Sequence, residues 1–155
     1  MKTALVTGAA RGIGKAAADA LQQAGLRVLR LDLQGEVAYD LTNLAGIAPM
    51  VESLGEIHVL VNNAGVQTAV SIENYSEEQR TRIIRINLEA PVELIRAVSK
   101  QMLARKAGRI VNLASVGAYT PHTDLWYGVT KAGVVSFTRR FAGLLGPEGV
   151  QESGV

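Results

Sequence analysis

The chain has 155 residues, 48% of them apolar and 19% charged, which suits one folded domain around one core. Net charge is only +2, at a pI near 9.1, and its Lys and Arg residues are scattered, so a nucleic-acid or acidic-membrane surface is not indicated. The absence of cysteine excludes disulfide staples and thiolate metal sites.

No apolar run approaches the length of a membrane span. The chain enters a strand within three residues, leaving no room for a signal peptide, so the expectation is a cytoplasmic protein. Aromatic residues are few, and Ala, Val, Leu and Ile dominate. That mixture fits a helix-covered parallel sheet better than an antiparallel sandwich.

Taken in order, Thr3 to Thr7 reads as a buried strand. Thr7-Gly-Ala-Ala-Arg-Gly-Ile-Gly14 follows, and Gly12 to Ala24 reads as a helix closed by Gly25. Arg27 to Leu33 alternates as a second strand with Asp32 at its end. Glu36 to Tyr39 is a very short third strand, with Asp40 and Leu41 at its exit. Thr42 or Asn43 can cap a helix to about Leu54, which Pro49 shortens. Ile57 to Val61 is a fourth strand, ending in Asn62-Asn63-Ala64-Gly65.

Ser76 with Gln79 forms a capping-box pattern before a long helix to about Lys106. Gly108 to Ala114 is a fifth strand, and Trp126 to Leu145 a last helix, ended by Gly146-Pro147. Five alternations of strand and helix predict an α/β fold: a three-layer, doubly wound parallel sheet of Rossmann type with right-handed crossovers. Ligands of such sheets bind at the carboxyl ends of the strands, where strand order reverses. The notable polar residues all lie at those ends.

Three glycines in the first turn let the backbone approach a ligand with no Cβ in the way. The helix that follows offers unpaired N–H groups and a positive dipole end, a seat for phosphate or pyrophosphate. Asp32 lies 24 residues after Gly8, where a carboxylate can accept bonds from both hydroxyls of an adenosine ribose and repel a 2′-phosphate. NAD is favoured over NADP on that ground, while the guanidinium groups of Arg11 and Arg30 pull the other way.

Tyr127 and Lys131 stand one helical turn apart on one face. An ammonium beside a phenol favours the phenolate, and such a tyrosine can pass a proton to or from a carbinol oxygen. Ser115, at the end of the fifth strand, can hold a carbonyl oxygen near it. Asn87 lies inside the long helix. Pro91, four residues on, has no N–H to give its carbonyl, which leaves that oxygen open to a water. The loop from Val116 to Trp126, with Tyr119, His122 and Trp126, is expected to line a substrate pocket.

With these residues in place the chain resembles the short-chain dehydrogenase/reductase family. Thr7 to Gly14 matches its Thr-Gly-x-x-x-Gly-x-Gly motif, and Asn62 to Gly65 matches its Asn-Asn-Ala-Gly. Asn87, Ser115, Tyr127 and Lys131 match its catalytic set in order and approximate spacing. The resemblance implies an oxidoreductase that moves a hydride between NAD(P)(H) and a secondary alcohol or ketone. Tyr127 would be the acid/base and Ser115 would orient the carbonyl. Lys131 would bind the nicotinamide ribose and tune the tyrosine, and Asn87 would hold a relay water. Gly8, Arg11, Gly12, Ile13 and Gly14 would hold the cofactor, with Asp32, Asp40, Leu41, Asn63, Ala64, Gly65, Tyr127 and Lys131. The substrate classes it allows include 3-oxoacyl thioesters, cyclic dihydrodiols, sugars and steroid-like alcohols. No metal is implied.

Three departures stand out. His58 occupies a place where the family often has an aspartate, and reads as structural. The span from Asp32 to Asn62 is compact, so its strand and helix should be small. The family pattern also continues beyond Val155, so about five strands are expected, with only Gly149-Val150-Gln151 pointing toward a sixth. The fifth strand would then be an exposed edge, and stability would lean on a homo-oligomer, dimer or tetramer. The rival expectation is a shortened, catalytically impaired nucleotide-binding or subunit-interaction protein.

Overall fold

A computed structural model describes residues 1–68, 70 and 72–155. Six parallel strands form one sheet in the order β3-β2-β1-β4-β5-β6. The first three are β1 (Thr3–Thr7), β2 (Arg27–Asp32) and β3 (Val37–Ala38); the others are β4 (Val59–Asn62), β5 (Gly108–Asn112) and β6 (Val150–Gly154). The order reverses between β1 and β4, so the crevice for a ligand opens above those two strands.

Helices α1 (Gly12–Gln23), α2 (Ile47–Ser53), α3 (Glu77–Ile84), α4 (Ala90–Ala104) and α5 (Leu125–Leu145) cover the two faces. The strand period of two decides which residue goes where. From β1, Ala4 and Val6 pack with Ala18 of α1 on one face, and Leu5 packs with Ile47, Leu94 and Ile95 on the other. All of β1 is buried, as its unbroken apolar run requires.

The short segment after β3 behaves as expected. Asn43 caps a single 3-10 turn by accepting from the Gly46 N–H, and α2 follows with Pro49 in its first turn. There the missing N–H has no intrahelical partner to lose. Ser76 and Gln79 complete their capping box at the start of α3. Between α3 and α4 the helix does not simply kink. Arg85–Glu89 forms a π-turn, with the Ala90 N–H reaching the Arg85 carbonyl, and Asn87 lies at its centre.

One expectation is overturned. β5 is not an edge: β6 pairs with it in parallel along its whole length, from Gly108↔Val150 to Asn112↔Gly154. By sequence only Gly149-Val150-Gln151 points toward a sixth strand; in the structure the strand runs on through Glu152 and Ser153 to Gly154. Gly149, in the left-handed conformation at φ 86°, turns the chain out of α5, and Val150 is fully buried beneath the sheet edge. The exposed edge is therefore β6.

Candidate active site

The glycine turn is braced from β4, 55 residues away. Asn63 Nδ2 donates to the Thr7 and Gly8 carbonyls at 3.0 and 3.1 Å. The Thr7 hydroxyl accepts from the Asn63 and Ala64 N–H groups at 3.1 and 3.0 Å. A Cβ on Gly14 would lie 2.2 Å from the Gly8 carbonyl oxygen and 2.3 Å from Asn63 Nδ2. Gly14 is thus a packing glycine, buried beneath the turn rather than facing a ligand. Gly12 is the opposite case: its φ is +57° and nothing lies within 4 Å of where a Cβ would sit.

α1 begins without a side-chain cap and without an acidic residue in its first turn. Its first N–H groups are therefore left without a capping side chain, an arrangement that suits an anion. A cleft of about 590 Å³ opens there. It is lined by Gly8, Arg11, Gly12 and Ile13 of the glycine turn, by Asp32, Asp40 and Leu41 after β2 and β3, and by Asn63, Ala64 and Gly65 after β4. Leu33, Tyr39, Val66, Arg82 and Ile86 also line it, and sequence reasoning missed them. Arg82 and Ile86, four apart on one helical face just before Asn87, carried the available signal.

Asp32 meets the cleft with its carboxylate already oriented. Oδ2 accepts from the Ala10 N–H at 3.0 Å and Oδ1 from the Leu33 N–H at 2.8 Å. Each oxygen keeps lone-pair capacity for a further donor. Arg30 is removed from the contest over a 2′-phosphate. Its guanidinium bonds Asp19 of α1 at 2.7 Å and Gln22 at 2.9 Å. Lys15 and Arg30 together hold the Asp19 carboxyl below its usual range. Asp40 is also lowered, chiefly by the Thr42 backbone N–H bonding its carboxylate at 2.9 Å.

A set of uncapped helix N–H groups, a carboxylate lining the cleft and an open glycine fits a dinucleotide. Past Gly65 the cleft meets the second group of residues. A Cβ on Gly65 would stand 3.6 Å from both Asn87 Oδ1 and Lys131 Nζ, so these two side chains converge on that glycine. Lys131 is buried, donates to the Leu113 carbonyl at 2.7 Å and lies 5.6 Å from the centre of the Tyr127 ring. Burial pushes its ammonium below the usual lysine range. The His122 ring packs on Tyr127 from another side, centre to centre 4.9 Å.

Ser115 caps the 3-10 turn Val116–Ala118 in the connection from β5 to α5. Its hydroxyl accepts from the Gly117 N–H at 3.1 Å, which leaves its own proton to donate elsewhere. Asn87 grips the start of the β4–α3 loop with its amide: the Val66 N–H donates to Oδ1 at 2.8 Å, and Nδ2 donates to the Val66 carbonyl at 2.9 Å. His58 is structural, as expected, its Nδ1 accepting from the Thr3 N–H at 3.1 Å.

A family model described as short chain dehydrogenase matches residues 2–48 and 36–155. An uncharacterized short-chain type dehydrogenase/reductase of Sinorhizobium fredii is 42% identical over 151 residues, covering 88% of this chain and 61% of that protein. Gluconate 5-dehydrogenase from Burkholderia cenocepacia, solved with NADP and tartrate, superposes with a TM-score of 0.92 at 27% identity, over 99% of this chain and 69% of that one. A 4-hydroxyisoleucine dehydrogenase complexed with NADH gives 0.94 at 25% identity, over 99% and 74%. The chain spans 61% and 76% of the length of two of the curated relatives it matches. On the matched model and the shared fold, the chain belongs to the short-chain dehydrogenase family.

Proposed function

We propose that the chain is an oxidoreductase, one dinucleotide-binding and catalytic unit. It would transfer a hydride between a nicotinamide dinucleotide and a secondary alcohol or ketone. The observation that carries this is the convergence of Asn87 and Lys131 on Gly65, with Tyr127 over Lys131, at the inner end of the cleft that the glycine turn opens. When bound, the dinucleotide supplies the hydride acceptor or donor at its nicotinamide ring.

In this reading α1 and the glycine turn seat the pyrophosphate, and Asp32 accepts from the adenosine ribose hydroxyls. Lys131 has spent one donor on Leu113 and keeps two for the second ribose. The Ser115 hydroxyl, accepting from Gly117, donates to the substrate oxygen. Tyr127 passes the proton at that oxygen, with Lys131 Nζ 5.6 Å from the centre of its ring. Asn87 has committed its amide to Val66, so its part falls to its backbone within the π-turn. NAD is preferred because the Asp32 carboxylate repels a 2′-phosphate and Arg30 is tied to Asp19. Arg11 and Arg82 remain as the cationic groups of the cleft. We read the working state as a homo-oligomer, with the exposed Leu125, Val129 and Leu144 of α5 as contact residues.

The test is fluorescence titration with NADH and NADPH, followed by an assay of secondary alcohols and ketones. NADH should bind more tightly, and Asp32→Ala should invert that preference. Tyr127→Phe should lower turnover by about 100-fold or more while NADH still binds. Binding without turnover on any substrate would favour a nucleotide-binding protein instead.

A further inference from the structure

Tyr127 is held at its N–H and at its carbonyl by hydrogen bonds through three separate segments, a circuit that the main chain from Val66 to Thr68 closes. Its N–H donates to Asp124 Oδ1 at 3.0 Å. Asp124 Oδ2 accepts from the Thr68 N–H at 2.6 Å, and the Thr68 hydroxyl lies 2.9 Å from the same oxygen. Two residues back, Val66 is clasped at N–H and carbonyl by Asn87. The second proton of Asn87 Nδ2 goes to Thr130 Oγ1 at 3.3 Å, and the Thr130 hydroxyl donates to the Tyr127 carbonyl at 2.9 Å. Asp124, Thr130 and Asn87 are 0, 0 and 1% exposed.

Asp124 is more than a helix cap. A cap needs one acceptor, and Oδ1 supplies it to Tyr127. Oδ2 does nothing for α5 and is spent on the β4–α3 loop. The Tyr75 hydroxyl donates to Oδ1 as well. A carboxylate withdrawn from water is costly unless donors surround it. Among the described residues no cation pairs with it, and its donors there are Thr68, Tyr75 and Tyr127.

We propose that Asp124 is a positioning residue for the reaction, fixing through this circuit where the Tyr127 hydroxyl stands against Lys131 and the substrate oxygen. The proposal rests on the dehydrogenase reading for its catalytic consequence, and on the hydrogen bonds alone for the coupling. Asp124→Asn is the informative variant. Its amide oxygen can still cap α5 at Tyr127, but its NH₂ would meet the Thr68 donors, so the circuit opens at one place only. Thr130→Val opens it on the opposite side, and Thr130→Ser keeps the hydroxyl.

The measurements are kcat, KM and NADH affinity, together with amide hydrogen exchange at Thr68 and Tyr127. Asp124→Asn should lower kcat by about 10- to 100-fold, the cost of misplacing a reacting group by about an ångström. KM and NADH affinity should hold, because the cleft from Gly8 to Asp40 is untouched. Thr130→Val should do the same and should speed exchange at Thr68, across the circuit. The double variant should be no worse than either single one, and Thr130→Ser should restore kcat. Full kcat in Asp124→Asn, additive losses in the double variant, or Thr68 exchange unmoved by Thr130→Val would each overturn the proposal. Absence of turnover in the wild type would sink the dehydrogenase reading instead, and the exchange experiment would then decide the coupling by itself.

Discussion

Glu152 gives the chain a predictable dependence of stability on pH. It stands on β6 against β5 and α5, where Asn112 Nδ2 donates to Oε1 at 2.6 Å. Oε2 is buried with no partner among the described residues. Burial pushes the carboxyl up from 4.5 to about 7, against the opposing bond from Asn112. In the unfolded chain the same group titrates near 4.5. Below that pH both states hold the proton and the contribution is constant. Between about 4.5 and 7 the unfolded state gives up its proton first, so the folded state is disfavoured as pH rises. A shift from 4.5 to about 7 corresponds to a ceiling of about 3 kcal/mol. Glu152 is only partly buried, and solvent screening reduces this to about 1–2 kcal/mol. Glu152→Gln removes the titration while keeping an oxygen for Asn112. Urea unfolding followed by circular dichroism at pH 5, 6, 7 and 8 reads the effect. Wild type should lose about 1–2 kcal/mol relative to the variant across that range, or about 0.5–1 M in midpoint. A difference between the two proteins that stays flat from pH 5 to 8, or that favours the wild type as pH rises, would refute the placement of this carboxyl beneath the sheet edge.

The two kinds of glycine in the turn should separate by stability. Gly14→Ala drives a Cβ to 2.2 Å from the Gly8 carbonyl and should cost about 3 kcal/mol or prevent folding, whereas Gly12→Ala strains only its own backbone and should cost about 1–2 kcal/mol. Thermal melts of the two variants check this, and equal losses would contradict it. Thr7→Val removes the hydroxyl that accepts from Asn63 and Ala64, leaving two N–H groups without it. It should destabilise by about 1–3 kcal/mol and weaken NADH binding in the same titration.

Much of the fold was legible because its cause is local. The apolar run Ala4-Leu5-Val6, the glycines of Thr7 to Gly14 and the Ser76/Gln79 box each specify their element through backbone conformation, burial or a cap within a few residues. The alternation of such elements then fixes a parallel sheet, and the parallel sheet fixes which ends carry the site. Asp32, Asn63 to Gly65, Tyr127 and Lys131 could therefore be placed near one another from the sequence. What their neighbours do could not. Arg30 reads as a cation beside a ribose site until Asp19, one strand and helix away, takes it up. Gly14 reads as a ligand-facing glycine until Asn63 packs beneath it. Gly149-Val150-Gln151 only hints at a sixth strand until β5 supplies the other half of the hydrogen bonds of Val150–Gly154. Asp124 reads as a loop residue until Thr68 and Tyr127 close on it from two sides. In each case the deciding partner is 11 to 56 residues away in the chain or is the backbone of another strand. Periodicity and propensity determined the elements and the end of the sheet where chemistry is possible. Only the packed structure decided which polar groups are spent on holding the site and which are left to act in it.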